Sequence, residues 1–204
     1  MSNDTLRGPI DLLLQRHPWP DAKPAVEPNN GPVWFHDDHR KVFSRYINDQ
    51  TKVVLELGSF LGRSTLGILS MAPNATVIAV DTWKGSQEHH APEFAGLLPT
   101  LYETFLTNTW DHRDRLIAVR SDTTTGIAEV AALGIEPDMV YVDAGHGFDE
   151  VYQDTANVLN CFPKAAVVGD DFTWASVSDA LTALVDRLKV RVSMEGNVWW
   201  ISRP

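Results

Sequence analysis

From residue 52 onward, short apolar runs of strand length alternate with stretches of helical period, and this alternation constrains the fold more than any other feature. Runs at 52–57, 76–80, 116–120, 139–142, 165–168, 190–194 and 198–201 carry the apolar character of buried strands. Helical patterns lie between most of them, at 63–71, 99–107, 125–133, 149–160 and 177–187. Such alternation predicts an α/β fold with parallel strands, right-handed crossovers and helices on both faces of the sheet. Only Glu195-Gly196-Asn197 separates the last two runs, so one of them runs antiparallel in a mostly parallel sheet.

Open sheets of this kind bind ligands beyond the carboxyl ends of their strands. In strand order, the residues there are Glu56-Leu57-Gly58, Asp81, Ser121-Asp122, Asp143 and Asp170-Asp171. Gly58 and Gly62 let the main chain turn tightly and a ligand approach it, and the helix that follows offers free N–H groups. The pair is not a dinucleotide fingerprint, because Phe60 stands where G-x-G-x-x-G needs its second glycine and no third follows. A P-loop is excluded too, since Arg63-Ser64 replaces Lys-Ser and the glycine spacing is too short. Asp81, closing VIAVD, is placed either to accept hydrogen bonds from both hydroxyls of a ribose or to cap a turn.

The chain has 204 residues, enough for one sizeable core. It reads as an N-terminal covering segment over 1–50 and a main domain over 51–204. Between residues 18 and 32 prolines are too frequent for helix or central strand, which predicts an extended stretch, and an amphipathic helix over 36–48 follows it. A formal net charge of -10 and the lack of a long basic run argue against nucleic acid as a partner. The single cysteine, Cys161, excludes an intrachain disulfide framework and a multi-thiolate zinc site. IDLLL near the N-terminus is too short for a signal or membrane segment, so no membrane association and a cytoplasmic location are expected.

ELGSFLGRST, VIAVDTW, RSD, VYVDAGH and VVGDDF, in this order, resemble a class I S-adenosylmethionine-dependent methyltransferase. More narrowly, the chain is similar to the metal-dependent macrocin O-methyltransferase type, and more distantly to catechol O-methyltransferase. The resemblance runs from about residue 51 to the C-terminus. It implies a Rossmann-like sheet of seven strands, mostly parallel, with the last strand reversed. Carried onto this sequence, it puts the methionine end of the cofactor over Glu56, Gly58 and Gly62, with Ser64 opening the adjacent helix, and the ribose on Asp81. Trp83 is expected over the adenine, or else packed on the sheet, with Ser121 and Asp122 at the adenine edge. A sulfonium cofactor carries no phosphate and needs no basic cradle, which makes the acidic strand ends intelligible.

In this fold Asp143, Asp170 and Asp171 stand at two neighbouring strand ends, and such carboxylates repel unless a cation or protonation relieves them. A hard divalent ion such as Mg2+ suits their oxygens. Read alone, Asp170-Asp171 also suits a helix cap before TWASVSDAL. A bound ion would hold substrate oxygens, and Asp143 and His146 are the expected catalytic residues, with His146 taking the hydroxyl proton. Sugar-methylating relatives carry a histidine there, which supports the assignment. They often have a further acid just before it, where this chain has Ala144-Gly145. The polar loop over 82–96, with Glu88, His89 and His90, reads as a lid that completes the ion's shell, contacts substrate or is simply solvated. Trp34 and Trp174 are candidates for the substrate pocket. The expected activity is O-methylation of a small-molecule hydroxyl on a sugar or polyhydroxylated natural product, in a protein that can form homo-oligomers. A metal-independent methyltransferase, a non-catalytic cofactor-binding module and an NAD-type oxidoreductase are the rivals.

Overall fold

The computed structural model describes residues 3–29, 31–32 and 34–203. In chain order its principal elements are α1 (Asn3–Arg16), α2 (Asp37–Phe43), β1 (Val53–Leu57), α3 (Arg63–Met71), β2 (Thr76–Asp81), α4 (Pro92–Ala95) and α5 (Leu101–Thr109). There follow β3 (Leu116–Arg120), α6 (Thr123–Ala132), β4 (Met139–Val142), α7 (Phe148–Cys161), β5 (Ala166–Gly169), α8 (Ala175–Leu188), β6 (Arg191–Glu195) and β7 (Val198–Ser202). The strands form one sheet in the order β3-β2-β1-β4-β5-β7-β6. β1 to β5 pair in parallel, and β7 lies antiparallel to both β5 and β6. The sheet is therefore Rossmann-like, with seven strands and the last one reversed. From β1 the chain builds outward to β3, then returns to place β4 on the other side of β1. Ligand sites in open α/β sheets form at such a switch point.

Alternating side chains divide the core into two layers. Leu55, Leu57, Ile78, Val80, Val140 and Val142 pack with Ile127 of α6, Val158 of α7 and Leu184 of α8. Val54, Val77, Ala79 and Val168 pack on the other face with Val42 of α2, Ile68 of α3 and Phe105 of α5. Every residue of β1 is buried, as a central parallel strand requires.

The N-terminal region departs from the sequence reading in two places. The sequence reading assigns no helix over residues 3–16, and α1 forms there although it contains Gly8 and Pro9, both poor helix formers. Tertiary packing overrides that local preference: Leu13 is fully buried against the first layer, with Ile10 and Leu14 beside it. The helix expected over 36–48 ends at Phe43, and residues 44–46 continue as a turn that still buries Ile47. Between these helices the chain passes the β3 edge, where the Trp19 indole N–H donates to the Leu116 carbonyl at 2.8 Å. That contact covers an otherwise open strand edge.

Candidate active site

Leu57, Val142 and Gly169 end β1, β4 and β5 in register, so Gly58, Asp143 and Asp170 leave the sheet side by side. The Asp143 N–H donates to the Leu57 carbonyl at 2.8 Å and the Asp170 N–H to the Val142 carbonyl at 3.3 Å. Gly58 has φ +83°, and a Cβ there would lie 2.0 Å from the Asp143 carbonyl oxygen, so only glycine fits between the two strand ends. Beyond them opens a cavity of about 1050 Å3. It runs from the 58–62 turn past Asp81 and Ser121-Asp122 in one direction, and past Asp143 to Trp174 in the other. A space this size accommodates a nucleoside-sized cofactor together with a small acceptor.

At the acidic end, His146 Nε2 lies 2.8 Å from Asp171 Oδ2 and 3.9 Å from Asp143 Oδ1, within ion-pair range of both carboxylates and nearer to Asp171. One ligand atom from each of Asp143, His146 and Asp171 lies within 4.8 Å of the others. Asp171 sits at φ +61°, in the left-handed region that Asp tolerates better than most residues. Its Oδ1 accepts the Asn197 amide at 2.9 Å, so the β6–β7 turn braces it. Burial pushes the Asp143 carboxyl up to about 7, and repulsion from Asp170 and Asp171 acts in the same direction. Burial would lower the His146 imidazole, but Asp143 and Asp171 outweigh it and hold the pKa up at about 11. Trp174 tilts over this ring at 4.9 Å between centroids and is half exposed at the cavity wall.

Asp170, expected with Asp143 and Asp171 as a metal ligand, makes a different set of contacts. It lines the same cavity but does not join the group formed by Asp143, His146 and Asp171, and its Oδ2 accepts His39 Nε2 at 2.6 Å and the Tyr141 hydroxyl at 3.2 Å. Its Oδ1 accepts the Asp171 N–H at 2.8 Å.

At the other end Glu56 is fully buried beneath the glycine turn and does not line the cavity. Its Oε2 accepts Ser59 Oγ at 2.7 Å and Thr65 Oγ1 at 2.5 Å, while Oε1 has no partner among the described residues. Burial pushes this carboxyl up to about 7 against those hydrogen bonds. Gly62, at φ +86°, caps α3, and Ser64 in its first turn faces the cavity. The Asp81 carboxylate lines the cavity and also pins the turn: Oδ2 accepts the N–H groups of Ser59 and Phe60, both at 2.9 Å, and Oδ1 that of Trp83 at 2.6 Å. Ser121 and Asp122 line the cavity, and Asp122 caps α6 through the Thr125 N–H at 2.8 Å.

Of the two expectations for Trp83, the structure shows the packed one. The backbone turns left-handed there, at φ +49°, and the indole goes under the loop instead of into the cavity. It is 2% exposed, packs on Tyr102 and Phe105, and donates to the Phe60 carbonyl at 3.0 Å. Adenine cannot stack on a ring buried in this way, and Thr82 is the residue that faces the cavity.

Sequence reasoning did not single out His39, Tyr141, Asn197 or Asp154. Asp154, on α7, is a buried acid beside the cavity that accepts Thr123 Oγ1 at 2.5 Å, and burial pushes its pKa up to about 6. In the loop over 82–96, His89 stacks on Phe60 at 4.2 Å, with Trp34 and Phe94 beside it, so this loop forms an aromatic wall. His89 and His90 do not join the Asp143 group among the described residues, and the side chain of Glu88 lies outside them.

The family profile described as "Methyltransferase domain" matches residues 55–172, more than half of the chain and the very span that carries these strand ends. The chain belongs to the methyltransferase-domain family. No curated protein sequence matches the methyltransferase. Among solved structures it is similar to one from Staphylococcus aureus described as a caffeoyl-CoA O-methyltransferase, at 13% identity and TM-score 0.56, over 100% of this chain and 93% of that one. It is also similar to MycE methyltransferase from the mycinamycin biosynthetic pathway, solved with Mg and SAH, at 16% identity and TM-score 0.55. That match covers 95% of this chain but 48% of MycE. A third, precorrin 8w decarboxylase from Methanobacterium thermoautotrophicum, has 14% identity and TM-score 0.56, covering 86% and 95% of the two chains. At these identities the likenesses establish the fold.

As an S-adenosylmethionine-dependent methyltransferase, the chain has groups that fit its cofactor. Gly58 and Ser64 of the glycine turn, with the carboxylate of Asp81 and the Ser121-Asp122 pair, line one continuous wall of the cavity where such a cofactor would lie. The oxygens of Asp143 and Asp171 are of the type a hard divalent ion prefers.

Proposed function

We propose that this methyltransferase methylates a hydroxyl of a small, non-anionic molecule, a sugar or polyhydroxylated natural product, with assistance from a divalent cation such as Mg2+. The observation that carries this reading is the meeting of Asp143, His146 and Asp171 in the same cavity as the glycine turn. Asp143 and Asp171 would hold the ion, with the Asp170 carboxylate, in the orientation that His39 and Tyr141 give it, beside them. A divalent ion held there would neutralise these carboxylates and polarise an acceptor hydroxyl. Beside Asp143 and Asp171, which hold its pKa up at about 11, the His146 imidazole favours its protonated form. Released from that pairing, its Nε2 would accept the hydroxyl proton, while the sulfonium cofactor would supply the methyl group to the acceptor oxygen and keep the C–S electron pair on its sulfur. Trp174 beside His146 offers a flat apolar surface for a ring.

The charge of the wall supports the acceptor class. Asp38, Asp122, Asp149 and Glu150 add to the strand-end acids, while Arg63 is the only lysine or arginine lining the cavity among the described residues. A phosphodiester or carboxylate acceptor would be repelled there, so nucleic acid is disfavoured. No described helix is long and apolar enough to cross a membrane. The MycE neighbour, solved with Mg and SAH, supports the same reading. A metal-free methyltransferase is the second reading, favoured by the hydrogen bonds that already satisfy Asp170 and Asp171. Methyl transfer from labelled S-adenosylmethionine to a panel of polyols, with and without chelator, decides between them. Loss of transfer in chelator, restored by Mg2+, supports the first, and unchanged transfer selects the second.

A further inference from the structure

We propose that His39, carried by α2 ahead of the sheet, is a positioning residue of the acidic site, aiming the Asp170 carboxylate through a hydrogen bond across 131 positions of sequence. The proposal rests on the cation reading given above. His39 is 2% exposed, and the tautomer follows from its bonds. Nδ1 accepts the His36 N–H at 3.1 Å, so Nε2 carries the hydrogen and donates it to Asp170 Oδ2 at 2.6 Å. Tyr141 donates to the same oxygen, and the Asp171 N–H takes the other. The ring itself cannot swing, because Phe35 lies 5.0 Å away between centroids and Phe35 in turn presses on Gly67 of α3, where a Cβ would come within 2.4 Å. Asp170 is thus held by a donor locked in place from a separate segment, while Asn197 holds Asp171 from the opposite end of the chain. Two adjacent carboxylates that repel each other are kept in different orientations by two remote donors. Buttressing groups of this kind typically change metal affinity about 10- to 100-fold when removed.

The same segment also lines the cavity through Trp34, Phe35, His36 and Asp38, so residues 34–39 are part of the site and not merely a cover. A purely structural His39 would make a different prediction from a positioning one. His39→Asn keeps an acceptor for the His36 N–H but falls short of Asp170, whereas the longer His39→Gln reaches it. Thermal unfolding is followed in Mg2+ titrations of wild type and both variants, with SAH binding measured by calorimetry. His39→Asn should need about 10- to 100-fold more Mg2+ for the same rise in melting temperature. His39→Gln should stay within about threefold of wild type, and both should bind SAH normally. An unaltered Mg2+ response in His39→Asn, equal shifts in both variants, or loss of SAH binding in both overturns the positioning role while leaving the cation reading intact. No Mg2+ response in wild type overturns both. Should His39→Asn not fold, the His39 Nε2–H resonance of wild type serves in its place: it should move on Mg2+ addition, and a resonance that stays put overturns the proposal.

Discussion

Replacing Glu56 with glutamine should change how stability depends on pH more than it changes stability at any one pH. The carboxyl is fully buried, and burial raises its pKa from an ordinary 4.5 to about 7. Between those values the folded protein retains a proton that the unfolded chain releases, so unfolding loses a proton and stability falls as pH rises through the window. Each unit is worth about 1.4 kcal/mol, so the penalty grows to roughly 3 kcal/mol by pH 8 and is nearly absent at pH 4.5. Glutamine does not titrate. Its carbonyl can still accept Ser59 and Thr65, and its unpartnered NH2 adds a cost that is the same at every pH. Relative to wild type, Glu56→Gln should therefore gain roughly 2 to 3 kcal/mol between pH 5 and pH 8. For a chain of this length that is on the order of 5–10 °C in melting temperature. Differential scanning calorimetry without added cofactor, at half-unit pH steps, measures it. A stability difference that stays constant from pH 5 to pH 8 would refute the account of Glu56 as a buried, costly carboxylate.

His146→Ala should lower methyl transfer about 10²- to 10⁴-fold with SAH affinity unchanged, read by steady-state kinetics and calorimetry. Asp143→Asn should abolish the Mg2+-induced rise in melting temperature while sparing SAH binding. Asp81→Ala removes the acceptor of three backbone N–H groups as well as any ribose contact, so it should weaken SAH binding by at least about 1 to 3 kcal/mol and also lower the melting temperature. Trp83→Phe should leave SAH affinity within a few-fold of wild type and cost stability instead, since the indole N–H bond to Phe60 is internal.

The sheet is readable because β1 to β5 and β7 are separate apolar runs, and the reversed strand because a three-residue link cannot make a crossover, although β6 is a largely polar edge strand. The strand-end acids could be located for the same reason, since the position after a parallel strand is fixed by the sheet and not by side-chain choice. Side-chain direction was not readable. Trp83 follows Asp81 closely in sequence, yet a left-handed backbone at that one residue sends the indole beneath the loop. Asp170 and Asp171 are adjacent, but His39 and Asn197 pull them apart, and neither partner carries a local sequence signal. Helix α1 rests on burying Leu13 against the sheet, a long-range contact that no local pattern announces.

The most direct test of the central claim is an anomalous difference map from crystals grown with SAH and Mn2+. The account predicts SAH along the Gly58–Gly62 turn and a manganese peak ligated by Asp143 and Asp171. SAH in that place with no peak at these carboxylates, at saturating Mn2+, would contradict it.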